Sequence, residues 1–250
     1  MTAHSKQLII FDLDGTLTKS KSPVDPEMAA LLVRLLSKKK VAVISGGSYV
    51  QFQAQFLASL PGSADHYGNL YLLPTSGTRL YTWKGSWVEE YAENLTPAER
   101  ERVMNALNTA LAAAGYKTPE KHWGDIIEDR GSQITFSALG QKAPVEAKYR
   151  WDQDRSKRNK IAAALAPKLP GFDVRIGGAT SIDITRRGIN KAYGIRKLEL
   201  FLNIGPDDIT FVGDALFFGG NDYPAKATGV DCVQVAGPDD TKKLIQSWLA

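Results

Sequence analysis

In the first part of the chain, continuous apolar runs alternate with a segment whose apolar residues recur at helical spacing. Residues 8–11 and 41–44 are short, uninterrupted apolar runs, which are typical of strands buried on both faces of a parallel sheet. Between them, apolar residues recur at helical spacing and predict an amphipathic helix. These residues are Met28, Leu31, Leu32, Leu35 and Leu36. The order strand, helix, strand predicts a parallel α/β sheet.

The same signature returns toward the C-terminus. Lys191 begins a predicted helix with Ile195 and Leu198 on one face, and residues 209–212 and 230–235 predict two further strands. The two segments therefore predict one α/β core that the chain leaves and re-enters. We expect this core to comprise residues 1–85 and 187–250, with an insertion at residues 86–186.

The insertion has a different pattern. Residues 133–138 and 181–185 alternate between polar and apolar positions, which predicts antiparallel strands with one covered face and one open face. The polar positions are Gln133, Thr135, Ser137, Ser181, Asp183 and Thr185. We therefore predict an α+β domain whose polar sheet face is available for a ligand.

Composition narrows the class of protein. The 250 residues are 43% hydrophobic and 23% charged, as in an ordinary globular protein. Net charge is +4, without the long basic runs of a nucleic-acid tail, so we expect no nucleic-acid partner. No stretch approaches the roughly 18 apolar residues of a membrane helix. With one cysteine, Cys232, no internal disulfide is possible, and we expect a cytoplasmic protein without a membrane partner.

Polar residues follow three of the predicted core strands. Asp12 and Asp14 end the first, Ser45 follows the second, and Asp214 follows a third. In open α/β sheets, ligands bind beyond the carboxyl ends of the strands. Carboxylate oxygens gathered at that edge form a site suited to Mg²⁺.

Neighbouring residues add groups that suit a phosphate. Gly15 and Thr16 supply backbone N–H groups and a hydroxyl, while Ser45 and Lys191 add a donor and a cation. Each residue alone has a simpler interpretation, as a turn residue, a helix cap or a surface lysine. Together, in this order, they favour phosphoryl transfer through an aspartyl-phosphate.

Residues 11–18, FDLDGTLT, resemble the first motif of the haloacid dehalogenase (HAD) superfamily. Ser45, Lys191 and the pair at 213–214 stand where its second, third and fourth motifs belong, and the insertion resembles its type IIB cap. The resemblance implies an α/β fold with a HAD-like Rossmannoid core and an inserted cap that carries an antiparallel sheet.

The resemblance also implies roles for the residues of the core. Asp12 would be the nucleophile and Asp14 the general acid and base, and Lys191 would join them in catalysis. The phosphoryl group would be held by Gly15, Thr16, Ser45, Gly46 and Lys191. Asp12, Asp14 (through its carbonyl) and Asp214 would bind Mg²⁺, supported by Asn221 and Asp222.

A narrower resemblance concerns the loop at 213–222, GDALFFGGND. Its long GGND form is similar to that of the eukaryotic-type phosphomannomutases, as are residues 130–131, 137–140, 177–183 and 238–241. In that family the corresponding cap residues hold the substrate's phosphate and sugar hydroxyls. By position these would be Arg130, Ser181 and Asp183 here.

Three positions depart from that family's pattern. Gln141, Lys148 and Lys21 stand where arginines belong, and arginine alone grips a phosphate bidentately. The resemblance favours interconversion of mannose 6-phosphate and mannose 1-phosphate. Gln141 keeps an alternative open, which is hydrolysis of a sugar phosphate by the same nucleophile. Residues 225–230 do not predict a second cation, and the resemblance suggests a homodimer formed through the cap.

Overall fold

The computed structural model describes residues 6–19, 22–60 and 65–250. Its strands are β1 (Leu8–Asp12), β2 (Lys40–Ile44), β3 (Leu70–Leu73), β4 (Arg79–Trp83), β5 (Trp87–Ala92), β6 (Ile127–Asp129), β7 (Gln133–Ser137), β8 (Phe172–Gly177), β9 (Ser181–Arg186), β10 (Ile209–Gly213) and β11 (Asp231–Gln234). Its α-helices are α1 (Pro26–Leu36), α2 (Tyr49–Gln55), α3 (Pro97–Ala113), α4 (Val145–Trp151), α5 (Ser156–Leu165), α6 (Lys191–Leu202) and α7 (Pro238–Leu249). None of the helices in these ranges combines the length and the apolar character that crossing a bilayer demands.

The chain divides into two compact units. Met1–Ala92 and Ile189–Ala250 form the first, and Glu93–Gly188 forms the second. The first boundary lies later than the expected residue 86, because β5 pairs with β4 and so belongs to the sheet of the first unit. The turn at Lys84 and Gly85, which the sequence predicts as a hairpin turn between Trp83 and Trp87, joins β4 and β5 as antiparallel neighbours.

The first unit contains a largely parallel sheet, as predicted. Its strand order within the described residues is β11-β10-β1-β2-β3-β4-β5, with parallel pairing from β11 to β3 and two antiparallel strands at the other edge. Side chains alternate between two hydrophobic cores. Ile9 and Phe11 pack into the core that contains α1 and α7, whereas Leu8 and Ile10 pack into the core that contains α6. The α/β fold class is confirmed.

Helix α6 begins at a point that matters for the site. Asn190 is its N-cap, and the Asn190 side chain accepts a hydrogen bond from the Tyr193 N–H at 3.1 Å. Asparagine is among the favoured residues at this position, because it satisfies an N–H group that the helix leaves unpaired. The cap makes Lys191 the first helical residue and fixes where its side chain starts.

The second unit is an antiparallel sheet covered by helices on one face. The order is β6-β7-β9-β8, and apolar residues of β7 and β9 pack with α3 and α5. The polar positions of β7 were expected to be open, but Gln133, Thr135 and Ser137 are each only 1% exposed. That expectation was wrong because these short side chains are buried and hydrogen-bond with one another and with β9.

Candidate active site

Parallel pairing brings three sequence-predicted residues to one edge of the first sheet. Strand β1 lies between β2 and β10, in register along its length. Asp12 is the last residue of β1, Ser45 directly follows β2, and Asp214 directly follows β10. The sheet therefore gathers a nucleophile candidate, a hydroxyl and a carboxylate at its carboxyl edge.

A buried lysine joins two carboxylates at this edge. The Lys191 ammonium donates hydrogen bonds to Asp12 Oδ1 and Asp222 Oδ1, and all three side chains are at most 3% exposed. Asp222 Oδ2 accepts a further bond from the Ala215 N–H at 2.9 Å. Asp222 is thus fully engaged, which suits the supporting role expected of it.

The second carboxylate oxygen of Asp12 has a different environment. Asp12 Oδ2 is buried and, within the described residues, has no hydrogen-bond partner. An unpaired buried oxygen is costly unless something else binds it. The atom is therefore suited to attack a substrate or to ligate a cation, while Oδ1 is held by Lys191.

Burial and crowding shift the titration of these groups. Burial raises the pKa of Asp12 to about 7, against the opposing effect of Lys191 and with reinforcement from Asp222. Burial alone would lower the pKa of Lys191, but Asp12 and Asp222 raise it on balance. Burial, and then Asp222, also raise the pKa of Asp214. The three carboxylates of this cluster carry more negative charge than the Lys191 ammonium can balance.

The acidic cluster fits a hard divalent cation. Asp12, Asp214 and Asp222 each offer one oxygen within 4.8 Å of the other two. Oxygen ligands of this kind are those that Mg²⁺ prefers. The cluster adds the Asp222 side chain to the expected Asp12 and Asp214, while the third expected ligand, the main-chain carbonyl of Asp14, stays a prediction. Since both Asp222 oxygens already accept hydrogen bonds, Asp12 and Asp214 are the carboxylates best placed to bind an ion.

The turn after β1 serves the site in a way that the sequence did not predict. The Gly15 N–H donates to the Thr18 carbonyl at 2.7 Å, so this amide closes the turn and is not available to a phosphate. Gly15 has φ of +91°, and a Cβ there would lie 2.5 Å from Asp214 Oδ2. Glycine is required because Asp214 packs directly against the backbone. Thr16 Oγ1 lies 3.4 Å from Asp214 Oδ1, toward which it donates.

The remaining core residues have simpler settings. Ser45 is 5% exposed, and its Oγ accepts a hydrogen bond from the Gly47 N–H at 3.1 Å, with Gly46 between them. Asp14 is half-buried and forms an isolated bridge with Thr18. Lys21 lies outside the described residues. Asn221 is exposed, in the loop that ends at Asp222.

The second unit places Arg130 beside an acidic partner that sequence reasoning missed. The Arg130 side chain is 5% exposed, and its Nη2 and Nε donate to Glu128 Oε2 at 2.7 and 3.0 Å. Arg130 directly follows β6, and its spacing of two residues from Glu128 was the available signal in the sequence. The carboxylate holds the guanidinium in one orientation.

A hydrogen-bonded network links the other cap candidates of the second unit. Thr135 Oγ1 donates to Asp183 Oδ1 at 2.8 Å, and the Ser137 and Ser181 hydroxyls lie 2.9 Å apart. Gln141 Nε2 donates to Ser137 Oγ at 2.6 Å. The buried Lys148 ammonium donates to the Gln141 carbonyl at 2.7 Å. Gln141 and Lys148 are therefore coupled to the predicted sugar-binding residues.

The fold is similar to that of haloacid dehalogenase-like proteins of known structure. A haloacid dehalogenase-like hydrolase of Bacteroides thetaiotaomicron has a similar structure, with a TM-score of 0.63 at 16% identity over 97% of this chain and 99% of that one. An IMP-nucleotidase of Plasmodium falciparum, truncated at its N-terminus, has a TM-score of 0.69 at 17% identity, over 98% and 71% of the two chains. Both likenesses concern the fold.

Sequence comparison identifies the family within that class. The profile of the eukaryotic phosphomannomutase family matches residues 28–250, and the chain belongs to this family. The phosphomannomutase of Spinacia oleracea is 29% identical over 97% of this chain and 96% of its own length. Human phosphomannomutase 1 is 27% identical over 86% of this chain and 81% of its own.

Proposed function

We propose that this protein is a Mg²⁺-dependent phosphotransferase that interconverts mannose 6-phosphate and mannose 1-phosphate through an aspartyl-phosphate. One observation carries the chemistry: Asp12 has one oxygen held by Lys191 and a second, buried oxygen without a partner in the described residues. Membership of the phosphomannomutase family supports the choice of substrate.

The proposed reaction begins at Asp12. Its free Oδ2 attacks the phosphorus of a hexose bisphosphate, forming the Asp12–phosphate bond while the bond to the sugar oxygen breaks. Asp14 gives its proton to that leaving oxygen. In the return step mannose 1-phosphate presents its free 6-hydroxyl: Asp14 takes the proton of this hydroxyl, and the oxygen attacks the phospho-aspartate, so that the Asp12–phosphate bond breaks and the bisphosphate forms. The bisphosphate turns over, its 1-phosphoryl group passes to Asp12, and mannose 6-phosphate is released. Lys191 and Ser45 bind the phosphoryl oxygens throughout.

The donor set supports Mg²⁺ as the cofactor of the proposed reaction. Asp12, Asp214 and the main-chain carbonyl of Asp14 would hold the ion. When bound, Mg²⁺ neutralises the charge on the phosphoryl oxygens during transfer. The raised pKa values of Asp12 and Asp214, which follow mainly from burial, agree with a site whose charge a cation would balance.

The residues of the second unit support a sugar phosphate as the substrate. We assign the distal phosphate to Arg130, whose guanidinium is oriented by Glu128. We assign the sugar hydroxyls to Ser181 and Asp183. Gln141 favours a second candidate function, hydrolysis of a sugar phosphate, because a neutral amide holds a bisphosphate less firmly than an arginine does.

The deciding experiment supplies mannose 1-phosphate, Mg²⁺ and a trace of hexose 1,6-bisphosphate to the purified protein. We expect mannose 6-phosphate to form without an equivalent release of inorganic phosphate. Release of phosphate without mannose 6-phosphate would establish the hydrolase instead.

The same assay tests the metal. EDTA should abolish turnover, and added Mg²⁺ should restore it. Recovery with Zn²⁺ alone would contradict the assigned metal. As an internal control, Arg130→Ala should impair either reaction.

A further inference from the structure

A strained turn lies beside the proposed phosphate-binding serine. Thr75 and Ser76, directly after β3, have φ of +50° and +59°, and Gly77 has φ of +86°. Positive φ is unusual for residues with a side chain and is a genuine outlier for a β-branched threonine. Such a conformation is costly for Thr75 and Ser76, and strain of this kind persists where the surrounding structure enforces it.

The strain directs two backbone amides at the loop after β2. The Ser76 N–H donates to the Ser45 carbonyl at 2.8 Å, and the Thr75 N–H donates to the Gly47 carbonyl at 2.9 Å. Strands β2 and β3 are parallel neighbours whose last residues, Ile44 and Leu73, are paired. The turn therefore braces both ends of the segment that contains the Ser45 hydroxyl.

The same turn touches the helix that carries Lys191. A Cβ on Gly77 would overlap Gly194, and a Cβ on Gly194 would lie 2.8 Å from the Ser76 carbonyl oxygen. Two glycines thus allow α6 to approach the turn backbone to backbone, one helical turn after Lys191. The contact therefore lies on the helix whose first residue is Lys191.

Side chains lock the turn in its strained form. Thr75 and Thr78 are 1% and 2% exposed, and their hydroxyl oxygens lie 2.6 Å apart. Thr78 Oγ1 donates to the Thr75 carbonyl at 2.9 Å, so the Thr75 hydroxyl is the donor between the two oxygens. From β5, the Tyr91 hydroxyl donates to the Gly77 carbonyl at 2.8 Å.

We infer that the turn from Thr75 to Thr78 is a positioning element that holds the Ser45 loop and α6 in the geometry for phosphoryl transfer. Thr75 is its key positioning residue, and the inference rests on the proposed function of Ser45 and Lys191. The strain is retained because an unstrained turn would aim its amides away from the carbonyls of Ser45 and Gly47.

The test measures the affinity for orthovanadate, a phosphoryl mimic, in the presence of Mg²⁺, by calorimetry and without any sugar substrate. Thr75→Val removes the hydroxyl but keeps the side-chain shape. We expect it to weaken vanadate binding about tenfold, because small displacements of a positioned group have large effects. Thr75→Ser, which keeps the hydroxyl, should bind as the wild type does.

A double-mutant cycle separates positioning from general stability. If Thr75 acts through Ser45, combining Thr75→Val with Ser45→Ala should weaken vanadate binding no further than the more severe single variant. Thr241→Val is the matched control, because it removes another fully buried threonine hydroxyl, one bonded within its own helix region. It should lower the Tm and leave the vanadate affinity unchanged.

The results that overturn the inference differ from those that overturn the function. Wild-type vanadate affinity in Thr75→Val, or independent and multiplying effects of Thr75→Val and Ser45→Ala, would show that the turn does not position Ser45. A wild-type protein that binds no vanadate at all would contradict the proposed phosphoryl-transfer site itself. A wild-type protein that binds vanadate but does not convert mannose 1-phosphate would contradict the proposed substrate. The vanadate affinities of the Thr75 variants would still decide whether the turn positions Ser45.

Discussion

At the scale of single residues, the site concentrates more negative charge than its lysine can balance. Asp12, Asp214 and Asp222 face one buried ammonium. Such an arrangement costs stability and is typical of functional sites rather than of structural cores. The asymmetry between the two oxygens of Asp12 gives it a role that Asp222, bonded through both oxygens, does not share.

Asp12→Asn tests this difference directly. An amide cannot form the phospho-enzyme, so we expect at least about a thousandfold loss of turnover, as for other lost nucleophiles. The Tm should change little, because the neutral side chain relieves repulsion from Asp222. Turnover and Tm are measured on the same preparation. Asp207→Asn, at an exposed position, is the control. Wild-type turnover in Asp12→Asn would show that Asp12 is not the nucleophile.

At the scale of elements, the hydrophobic pattern predicted β1, β2, β10, α1 and α6 of the first unit and β7 and β9 of the second, since strands and amphipathic helices have distinct periods. Asp12, Ser45 and Asp214 could be grouped because the ends of parallel strands meet at one edge. What escaped prediction depends on contacts between distant segments. The sequence at Thr75–Gly77 predicts an ordinary loop, because it does not indicate that the backbone of Gly194 packs against this turn.

An ion pair at the start of α3 is a second contact between distant segments that the sequence did not predict. Thr96 and Glu99 form a capping box with bonds of 3.2 and 2.8 Å, and a threonine followed three residues later by a glutamate is the sequence signature of this motif. The sequence does not indicate that Glu99 also pairs with Arg186 at the end of β9, at 2.6 Å. The pair joins segments 87 residues apart, and it explains why the pKa of Glu99 lies near 2.

Glu99→Gln should therefore destabilise the protein in a pH-dependent way. Arg186, followed by the Thr96 amide, lowers the pKa of Glu99 to about 2 from 4.5, so its stabilisation is present above pH 4.5 and is lost as the pH falls toward 2. Because the pair is partly exposed, we expect Glu99→Gln to lower the free energy of unfolding by about 1 kcal/mol at pH 7.

Urea unfolding at pH 7 and pH 3 measures this difference in the free energy of unfolding. Glu101→Gln, exposed on the same helix, should have little effect at either pH, and an equal loss for Glu99→Gln at both would refute this account.

At the scale of the whole molecule, the question is how the bisphosphate is retained between the two transfer steps. A mutase must hold the intermediate while it turns over, whereas a hydrolase needs only to admit water. The second unit has one buried arginine among the family-predicted positions, Arg130, and a neutral amide and a lysine at Gln141 and Lys148. We therefore expect some bisphosphate to escape or to hydrolyse during turnover.

Replacing Gln141 by arginine should shift that balance toward the mutase. Gln141 is partly exposed, and its Nε2 donates a hydrogen bond to Ser137 Oγ at 2.6 Å. A guanidinium there adds bidentate phosphate contacts, and we expect the ratio of mannose 6-phosphate formed to phosphate released to rise about fivefold, or roughly 1 kcal/mol. Gln141→Met is the matched control, because it keeps the length without charge and should not raise the ratio. If Gln141→Arg lowers KM but leaves the ratio unchanged, the added charge improves substrate binding without deciding whether the bisphosphate is retained. That result would show that the absence of an arginine at position 141 does not explain hydrolysis of the intermediate.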